Sequence, residues 1–348
     1  MRPQRNFHKF SKPRPEAGLP EDAALVRTSF LSPGATLPLV IEPTLEAVDL
    51  AEWAGLNREL IAENLHKSGA ILFRGFEISS VPQFERLALA LCGEIYRENG
   101  EHVMVTETVA VPVFYPPHKQ LLWHNENSFN DLWPTKIIFC CADPPPVGGE
   151  TPIVDSRKVF ARLPSSIRDP FIAKGVMYQR NFGGGLGLDW KAVFKTSDRA
   201  QVEEICRQSH IELQWKPQDK LCTRCIRPAA IRHPVTGEAS WFNQGQHWHV
   251  SCLDPETRRG LEEILIDQEL PRSLYYGDGS TIPDEHMAAI LEVYRELEVS
   301  FRWQKGDVMV VDNILAAHGR NPFEGSRKIL VAMGDMKTYE EVGAVQID

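Results

Sequence analysis

Residues 135–155 read TKIIFCCADPPPVGGETPIVD, an apolar run, a turn built of prolines and glycines, and a second apolar run. This pattern is typical of two strands joined by a turn. Similar stretches occur upstream in 103–117 (VMVTETVAVPVFYPP) and much later in 301–313 and 327–335. Strands this short, distant in the chain and interrupted by proline and glycine, predict a β-sandwich or jelly roll.

Helical patterns lie before and between these strand-rich stretches. In 44–67 apolar residues recur at helical spacing, and in 79–91 Ser80 stands as a cap before Pro82 and an apolar face. Three more helical stretches follow at 199–208, 254–268 and 283–298. Strands and helices do not alternate as a parallel α/β sheet requires, so the predicted class is mainly β with helices.

The composition is ordinary for a soluble globular protein, with 43% hydrophobic and 24% charged residues among 348. The net charge of −9 argues against a nucleic-acid-binding surface. No stretch approaches the roughly 18 consecutive apolar residues of a membrane span. No charged start leads into an apolar secretion segment, and the seven cysteines are scattered. We therefore expect a cytoplasmic protein that acts on neither nucleic acid nor membrane.

The chain is expected to have one domain and a tail. Residues 1–20 are basic and predict a solvated tail, with a partner-binding arm as the alternative. Residues 21–348 predict a single domain, with a loop and helical insertion around 160–270.

Two side chains that can bind metal lie close together in 121–134, LLWHNENSFNDLWP. On a strand, residues two apart point to the same face about 6.6 Å apart. His124 and Glu126 would then aim at one point, where an ion with bonds of about 2.1 Å fits between them. The pair alone is a weak signal, and a surface or hydrogen-bonded pair is the alternative.

A third ligand is available in 307–320, DVMVVDNILAAHGR. His318 follows an apolar strand and a turn at Asp312-Asn313, although a packed histidine is the alternative. Two histidines and one carboxylate around an open coordination sphere form the facial triad of non-haem iron oxygenases. Arg327 begins the next strand, and its guanidinium suits the far carboxylate of a 2-oxo acid.

Several motifs jointly resemble one family. They are His124-Asn125-Glu126, PPPVGGETPIVDSR (144–157) with its Thr151, RPAAIRHPVTGEASWFNQ (227–244) and HGRNPFEGSRKILVAMGD (318–335). Over roughly 65–335 the chain resembles the TauD/TfdA family of Fe(II)/2-oxoglutarate-dependent dioxygenases. Within it, the pattern is most similar to the branch of the aspartyl hydroxylase of syringomycin biosynthesis.

The resemblance implies a double-stranded β-helix (jelly-roll) core with a helical N-terminal part and helical insertions. It also implies an enzyme that uses Fe(II), 2-oxoglutarate and O2. His124, Glu126 and His318 would be both the catalytic constellation and the iron ligands.

The resemblance also implies how 2-oxoglutarate is held. Thr151 would contact this co-substrate, and Arg327 would pair with its distal carboxylate. Arg327 departs from the pattern of taurine dioxygenase, which carries its arginine further along the strand, where this chain has Val331 or an apolar neighbour. Arg320 is the second candidate.

The implied reaction is hydroxylation of an unactivated C–H bond in an amino acid or related polar acid, free or bound to a carrier protein, in a secondary pathway such as antibiotic biosynthesis. Asn125, Trp241 and Asn243 are candidate substrate contacts, with a structural role as the alternative for each. Desaturation or ring formation could replace hydroxylation at the same site.

Two other classes of protein remain as alternatives. A zinc hydrolase could use the same three ligands, but the H-E-x-x-H helix is absent from the sequence. A non-catalytic metal-binding jelly roll could retain the ligands without Thr151 and Arg327. A separate structural zinc site from Cys222, Cys225, His247 and His249 is a weaker possibility.

Overall fold

This computed structural model describes residues 25–46, 48–97, 102–183, 187–264 and 270–346. The predicted basic tail lies outside these ranges. In chain order the strands are β1 (Val26–Phe30), β2 (Leu39–Pro43), β3 (Ala70–Phe73), β4 (Val103–Met104), β5 (Ala110–Val111), β6 (Leu121–His124), β7 (Leu132–Asp143), β8 (Val147–Gly148), β9 (Ile153–Asp155), β10 (Val176–Phe182), β11 (Glu212–Lys216), β12 (Lys220–Arg227), β13 (Ala230–Arg232), β14 (Ala239–Trp241), β15 (Arg272–Tyr276), β16 (Val308–Asp312), β17 (Ala316–Arg320), β18 (Phe323–Glu324) and β19 (Lys328–Thr338). The helices are α1 (Leu50–Leu56), α2 (Arg58–Ser68), α3 (Val81–Leu91), α4 (Ser156–Arg162), α5 (Ser165–Lys174), α6 (Trp190–Phe194), α7 (Arg199–Gln208), α8 (Pro255–Ile264) and α9 (Asp284–Leu297).

A large sheet follows the order β1-β2-β3-β16-β7-β19-β5-β4. Its pairs are antiparallel except for β2 with β3. Side chains along a strand alternate between faces, and both faces here are apolar. Ile138 and Val310 lie on the face that packs against α1, α2 and α3. Phe139 and Met309 lie on the other face, in the core layer that also contains Ala316 of β17.

A small sheet, in the order β6-β17-β9, faces the large one. Its central strand β17 pairs antiparallel with both neighbours. Its outer face carries Trp123, Val154 and Ala317, which pack with residues of α4, α5 and α9. Two facing, mainly antiparallel sheets confirm the predicted jelly roll with helices on its outside. Within the described ranges, the helices fall short of the length and apolar character that a membrane crossing needs.

The stretch around 160–270 differs in part from the predicted loop and helical insertion. It contains α5 to α8, and it also forms a four-stranded sheet in the order β11-β12-β10-β15. The strand KLCTRCIR in β12 has neither a continuous apolar run nor a strict alternation of apolar and polar residues, so its sequence lacks both patterns that mark a strand. The extent of a single domain over 21–348 remains a prediction.

The helix predicted over 44–67 is two helices. Asp49 caps the first by accepting a hydrogen bond from the Glu52 amide at 3.0 Å, so the helix begins at Leu50. Asn57 separates the two, and its side chain donates to the Trp53 carbonyl at 2.9 Å. An asparagine that bonds its own backbone in this way competes with the helix. The helix predicted from Ser80 is confirmed, with Ser80 as its cap.

One buried ion pair joins β16 to the loop after β3. Arg74 donates to both carboxylate oxygens of Asp307, at 3.1 and 2.6 Å, and the Asp307 side chain is fully buried. We expect Arg74→Met to lower the free energy of unfolding by about 3–5 kcal/mol, because it leaves a buried charge without its partner. The exposed pair Arg27–Glu42 is the control, and Arg27→Met should cost less than about 1 kcal/mol. Equal losses in urea unfolding would contradict the assignment.

Candidate metal centre

The pairing of the small sheet brings two of the candidate ligands together. His318 in β17 lies directly opposite His124 in β6. β6 ends at His124, so Glu126 lies in the turn that follows the strand. The three side chains converge as the spacing predicted, but strand alternation is not the cause for Glu126. The turn sets its direction.

The donor atoms are spaced as a bound metal ion requires. One carboxylate oxygen of Glu126, Oε2, lies 3.5 Å from Nε2 of His124 and 3.6 Å from Nε2 of His318. All three donors lie within 4.8 Å of one another. Donors about 2.1 Å from one ion are separated by about 3.0–3.6 Å when their bonds subtend 90–120°. Two imidazoles and one carboxylate also form the donor set of non-haem iron, so these residues fit that metal.

Hydrogen bonding and burial favour the protonation states in which histidine and glutamate bind a metal ion. His124 Nδ1 lies 3.0 Å from the Leu122 carbonyl and donates to it, which directs Nε2 toward Glu126 Oε2. Burial raises the pKa of the Glu126 carboxyl, but hydrogen bonds to His124 and His318 outweigh burial and hold that pKa well below its usual range. Burial and the neighbouring His124 lower the pKa of His318 to about 4. Neutral imidazole and ionised carboxylate are the forms that bind metal.

A further histidine borders the three candidate ligands. The ring of His247 lies 4.4 Å from that of His124, and its Nε2 donates to the same Leu122 carbonyl at 2.8 Å. Burial lowers the pKa of His247 well below its usual value, with a further contribution from His124. In the sequence, His247 is a candidate only through its HWH motif, as part of a zinc site. The fold that brings it to β6 cannot be predicted from local spacing.

The candidate residues for 2-oxoglutarate lie together beside β9. Arg327 Nη2 and Trp303 Nε1 both donate to the Thr151 hydroxyl, at 3.3 and 3.2 Å. Arg327 Nε also donates to the Gly149 carbonyl at 2.9 Å. Burial lowers the pKa of Arg327 to about 10, with a further contribution from the positive charge of Arg320. Trp303 was not predicted, because its indole enters from the loop before β16.

Arg320, the second candidate, is engaged elsewhere. Its guanidinium donates to the carbonyls of Tyr115, Pro116 and Lys119 at 2.9, 2.7 and 2.6 Å. It also lies over the Tyr115 ring, 5.4 Å from the ring centroid. Arg320 therefore fastens the loop before β6 to β17, a role that occupies both terminal nitrogens.

The three candidate substrate contacts are at most 3% exposed. The Asn125 side chain donates to the Asn313 carbonyl at 2.7 Å, and the Asn243 side chain donates to the Ala229 carbonyl at 2.9 Å. Trp241 packs edge-to-face on Phe171 in the helical layer outside the small sheet. Their placement supports the structural alternative stated for each.

The four residues of the possible zinc site are dispersed. Cys225 donates its thiol to the Phe129 carbonyl at 3.3 Å, and His249 Nε2 lies 3.1 Å from the Ile282 carbonyl. His247 belongs to the surroundings of His124 instead. Within the part of the chain that the structure describes, these residues do not form a metal-ligand cluster with Cys222.

The small residue after His318 keeps β6 and β17 close together. A Cβ atom on Gly319 would lie 2.7 Å from the Leu121 carbonyl oxygen, so the strands would have to move apart. We expect Gly319→Ala to destabilise the protein by about 1–3 kcal/mol and to weaken metal binding, since the moved strands carry His124 and His318. Gly55→Ala is the control, because its Cβ would meet no atom within 4 Å. Unchanged Mn(II) affinity in Gly319→Ala would contradict this reading.

Comparison with known proteins gives one family match and two relatives by sequence. The family model described as "Taurine catabolism dioxygenase TauD, TfdA family" matches residues 34–333. The dapdiamide synthesis protein DdaC of Enterobacter agglomerans is 38% identical over 278 residues, 79% of this chain and 84% of that protein. A clavaminate synthase-like protein of Arabidopsis thaliana is 28% identical over 316 residues, 86% of this chain and 91% of that protein.

Solved structures share the fold at low sequence identity. The PvcB protein from Pseudomonas aeruginosa superposes with a TM-score of 0.55 at 15% identity, over 97% of both chains. A PvcB structure described as an Fe, alpha-ketoglutarate dependent oxygenase from an isonitrile synthetic pathway gives 0.54 at 14% identity, again over 97% of both. These structures support the jelly-roll architecture.

Proposed function

The chain belongs to the TauD/TfdA family of dioxygenases, which use iron, 2-oxoglutarate and dioxygen, and from that premise we propose that His124, Glu126 and His318 are its iron ligands. The observation that carries the proposal is the convergence of two Nε2 atoms on one oxygen of Glu126, at 3.5 and 3.6 Å. Iron held by these three residues would supply the chemistry of the family, in which activation of dioxygen is coupled to oxidative decarboxylation of 2-oxoglutarate to succinate and carbon dioxide.

The protein's own contribution is to place 2-oxoglutarate beside the metal. We assign its distal carboxylate to Arg327, whose guanidinium is part-buried and can donate two parallel hydrogen bonds. Thr151 supports this arginine and offers its hydroxyl to the same pocket. Trp303, which donates to Thr151, fixes the hydroxyl from the other side. Because this pocket is largely shielded from water, a charged partner is held more strongly there than at the surface.

The proposed substrate is an amino acid or related polar acid, free or bound to a carrier protein, and the proposed outcome is hydroxylation at an unactivated C–H bond. Support comes from the resemblance to the syringomycin-type branch and from similarity to a protein named for dapdiamide synthesis. Both point to a biosynthetic role. Because Glu126 supplies a third protein ligand, the site leaves no ligand position for a halide, which argues against halogenation.

A substrate screen tests this proposal. Protein loaded with Fe(II) and 2-oxoglutarate in air would be offered a panel of amino acids, each free and as a carrier-protein thioester, with succinate measured. A true substrate should raise succinate formation, and its product should gain one oxygen atom by mass spectrometry. Loss of two hydrogens would identify desaturation or ring formation instead. If none of the tested acids raised succinate formation above the substrate-free level, the proposed substrate class would be contradicted.

A further inference from the structure

A second group of potential metal ligands contains His66, His233 and Asp312, whose ligand atoms lie within 4.8 Å. Hydrogen bonding shows that it has another role. His233 Nδ1 accepts from the amides of Val235 and Thr236, at 3.2 and 3.0 Å, so the proton of the neutral ring is on Nε2. A metal bound to Nε2 would move that proton to Nδ1. There it would face the N–H groups of Val235 and Thr236, and both hydrogen bonds would be lost. His233 and Asp312 therefore form a hydrogen-bonded pair, and the ring of His66 packs against that of His233 with the centroids 5.0 Å apart.

His233 instead donates to Asp312, which organises the turn between β16 and β17. The distance from His233 Nε2 to Asp312 Oδ2 is 3.1 Å, and both side chains are buried. The other oxygen, Oδ1, accepts from the amides of Ile314 and Leu315, each at 3.0 Å. A carboxylate that bonds the amides two and three residues ahead fixes a turn, and this turn contains Asn313.

The Asn313 side chain binds the main chain of Glu126 on both sides. Its Oδ1 accepts from the Glu126 amide at 2.7 Å, and its Nδ2 donates to the Glu126 carbonyl at 3.0 Å. Nδ2 also donates to the Pro134 carbonyl at 2.8 Å. Asn313 is fully buried, and its own carbonyl accepts from Asn125 at 2.7 Å. Every polar atom of this side chain is therefore used.

We infer that Asn313 positions the Glu126 carboxylate and that the His233–Asp312 pair holds Asn313 for this task. Glu126 lies beyond the end of β6, so the strand ladder does not fix its backbone; the Asn313 amide takes the place of a neighbouring strand. The inference rests on the proposed function, since it gives the geometry of a proposed metal ligand. The same turn leads into β17, which carries His318.

Metal affinity tests the inference without needing a substrate. Mn(II), a redox-inert stand-in for Fe(II), would be titrated into wild type, Asn313→Asp and Asn313→Ala. Asn313→Asp keeps the size of the side chain and an acceptor for the Glu126 amide but loses both Nδ2 donors. We expect the Kd for Mn(II) to rise about 10–100-fold in either variant, the usual effect of losing a group that orients a ligand.

The control separates positioning from general loss of stability. Asp307→Asn disrupts the ion pair with Arg74 at a fully buried carboxylate, just before the other end of β16 from the turn that contains Asn313. It should lower thermal stability but leave the Kd for Mn(II) within about twofold of wild type. All proteins would be compared at a temperature where circular dichroism shows them folded. If Asn313→Ala does not fold, the Kd of Asn313→Asp alone tests the positioning role.

Two failures would mean different things. If wild type and Glu126→Ala bound Mn(II) equally, the proposed ligand set would be wrong. If Glu126→Ala lost binding but folded Asn313→Asp matched wild type, the ligand set would stand and the positioning role of Asn313 would be overturned.

Discussion

Glu126→Ala should reduce 2-oxoglutarate-dependent succinate formation by more than about 100-fold. This exceeds the roughly 10–100-fold loss expected when a residue that only orients a metal ligand is removed. The carboxylate is the acceptor on which both histidine Nε2 atoms converge, at 3.5 and 3.6 Å. Without it the ion retains two neutral nitrogen ligands and loses the negative charge that balances it. Succinate release and Mn(II) affinity should fall together, because one residue underlies both.

Two companion variants make this result specific. Glu126→Asp keeps the carboxylate but shortens its reach by one methylene, so it should retain part of the Mn(II) affinity. Glu85→Ala removes a carboxylate on α3 that accepts from the Thr106 hydroxyl at 2.9 Å, and it should leave turnover unchanged. If Glu126→Ala kept more than a tenth of wild-type turnover, Glu126 would not be an iron ligand.

Arg327→Ala should raise the KM for 2-oxoglutarate about 10–150-fold, which corresponds to losing about 1.5–3 kcal/mol of charge-assisted hydrogen bonding. The guanidinium is held by the Gly149 carbonyl and the Thr151 hydroxyl. Arg327→Lys should be intermediate, because an ammonium keeps the charge but cannot grip a carboxylate with a planar fork. The measurement is succinate formation against 2-oxoglutarate concentration.

Arg320→Ala is the matched control, since it removes a neighbouring arginine of the same family motif. Its guanidinium holds the carbonyls of Tyr115, Pro116 and Lys119, so its loss should loosen that loop and lower stability. The KM for 2-oxoglutarate should change less than in Arg327→Ala. The opposite order of effects would assign the co-substrate carboxylate to Arg320.

The sequence was informative where local pattern determines structure. Apolar runs such as the one in β7 and turns such as PPPVGG predicted a β-sandwich or jelly roll, because strand burial and turn chemistry are local properties. His318 lies just past an apolar strand and a turn, and this position made it the candidate third ligand among eleven histidines. The helix cap at Ser80 could also be predicted from its local sequence.

Contacts between distant parts of the chain could not be predicted from the sequence. Asn313 and Glu126 are 187 positions apart, and no local pattern pairs an asparagine side chain with a remote main chain. His233 precedes Pro234, a pattern typical of a turn, but nothing in the local sequence predicts that it is buried against Asp312, 79 positions away. For the same reason Asn125 and Asn243 were candidates for the substrate pocket, although tertiary packing buries both.

The most direct test of the proposed iron site is an anaerobic titration of the protein with Fe(II) and 2-oxoglutarate, followed by visible absorption. Chelation of iron by the 2-oxo acid should give a weak charge-transfer band in wild type, and His124→Ala should lose it. A folded, metal-loaded wild-type protein without that band, or an undiminished band in His124→Ala, would contradict the assignment of His124, Glu126 and His318 as the iron site.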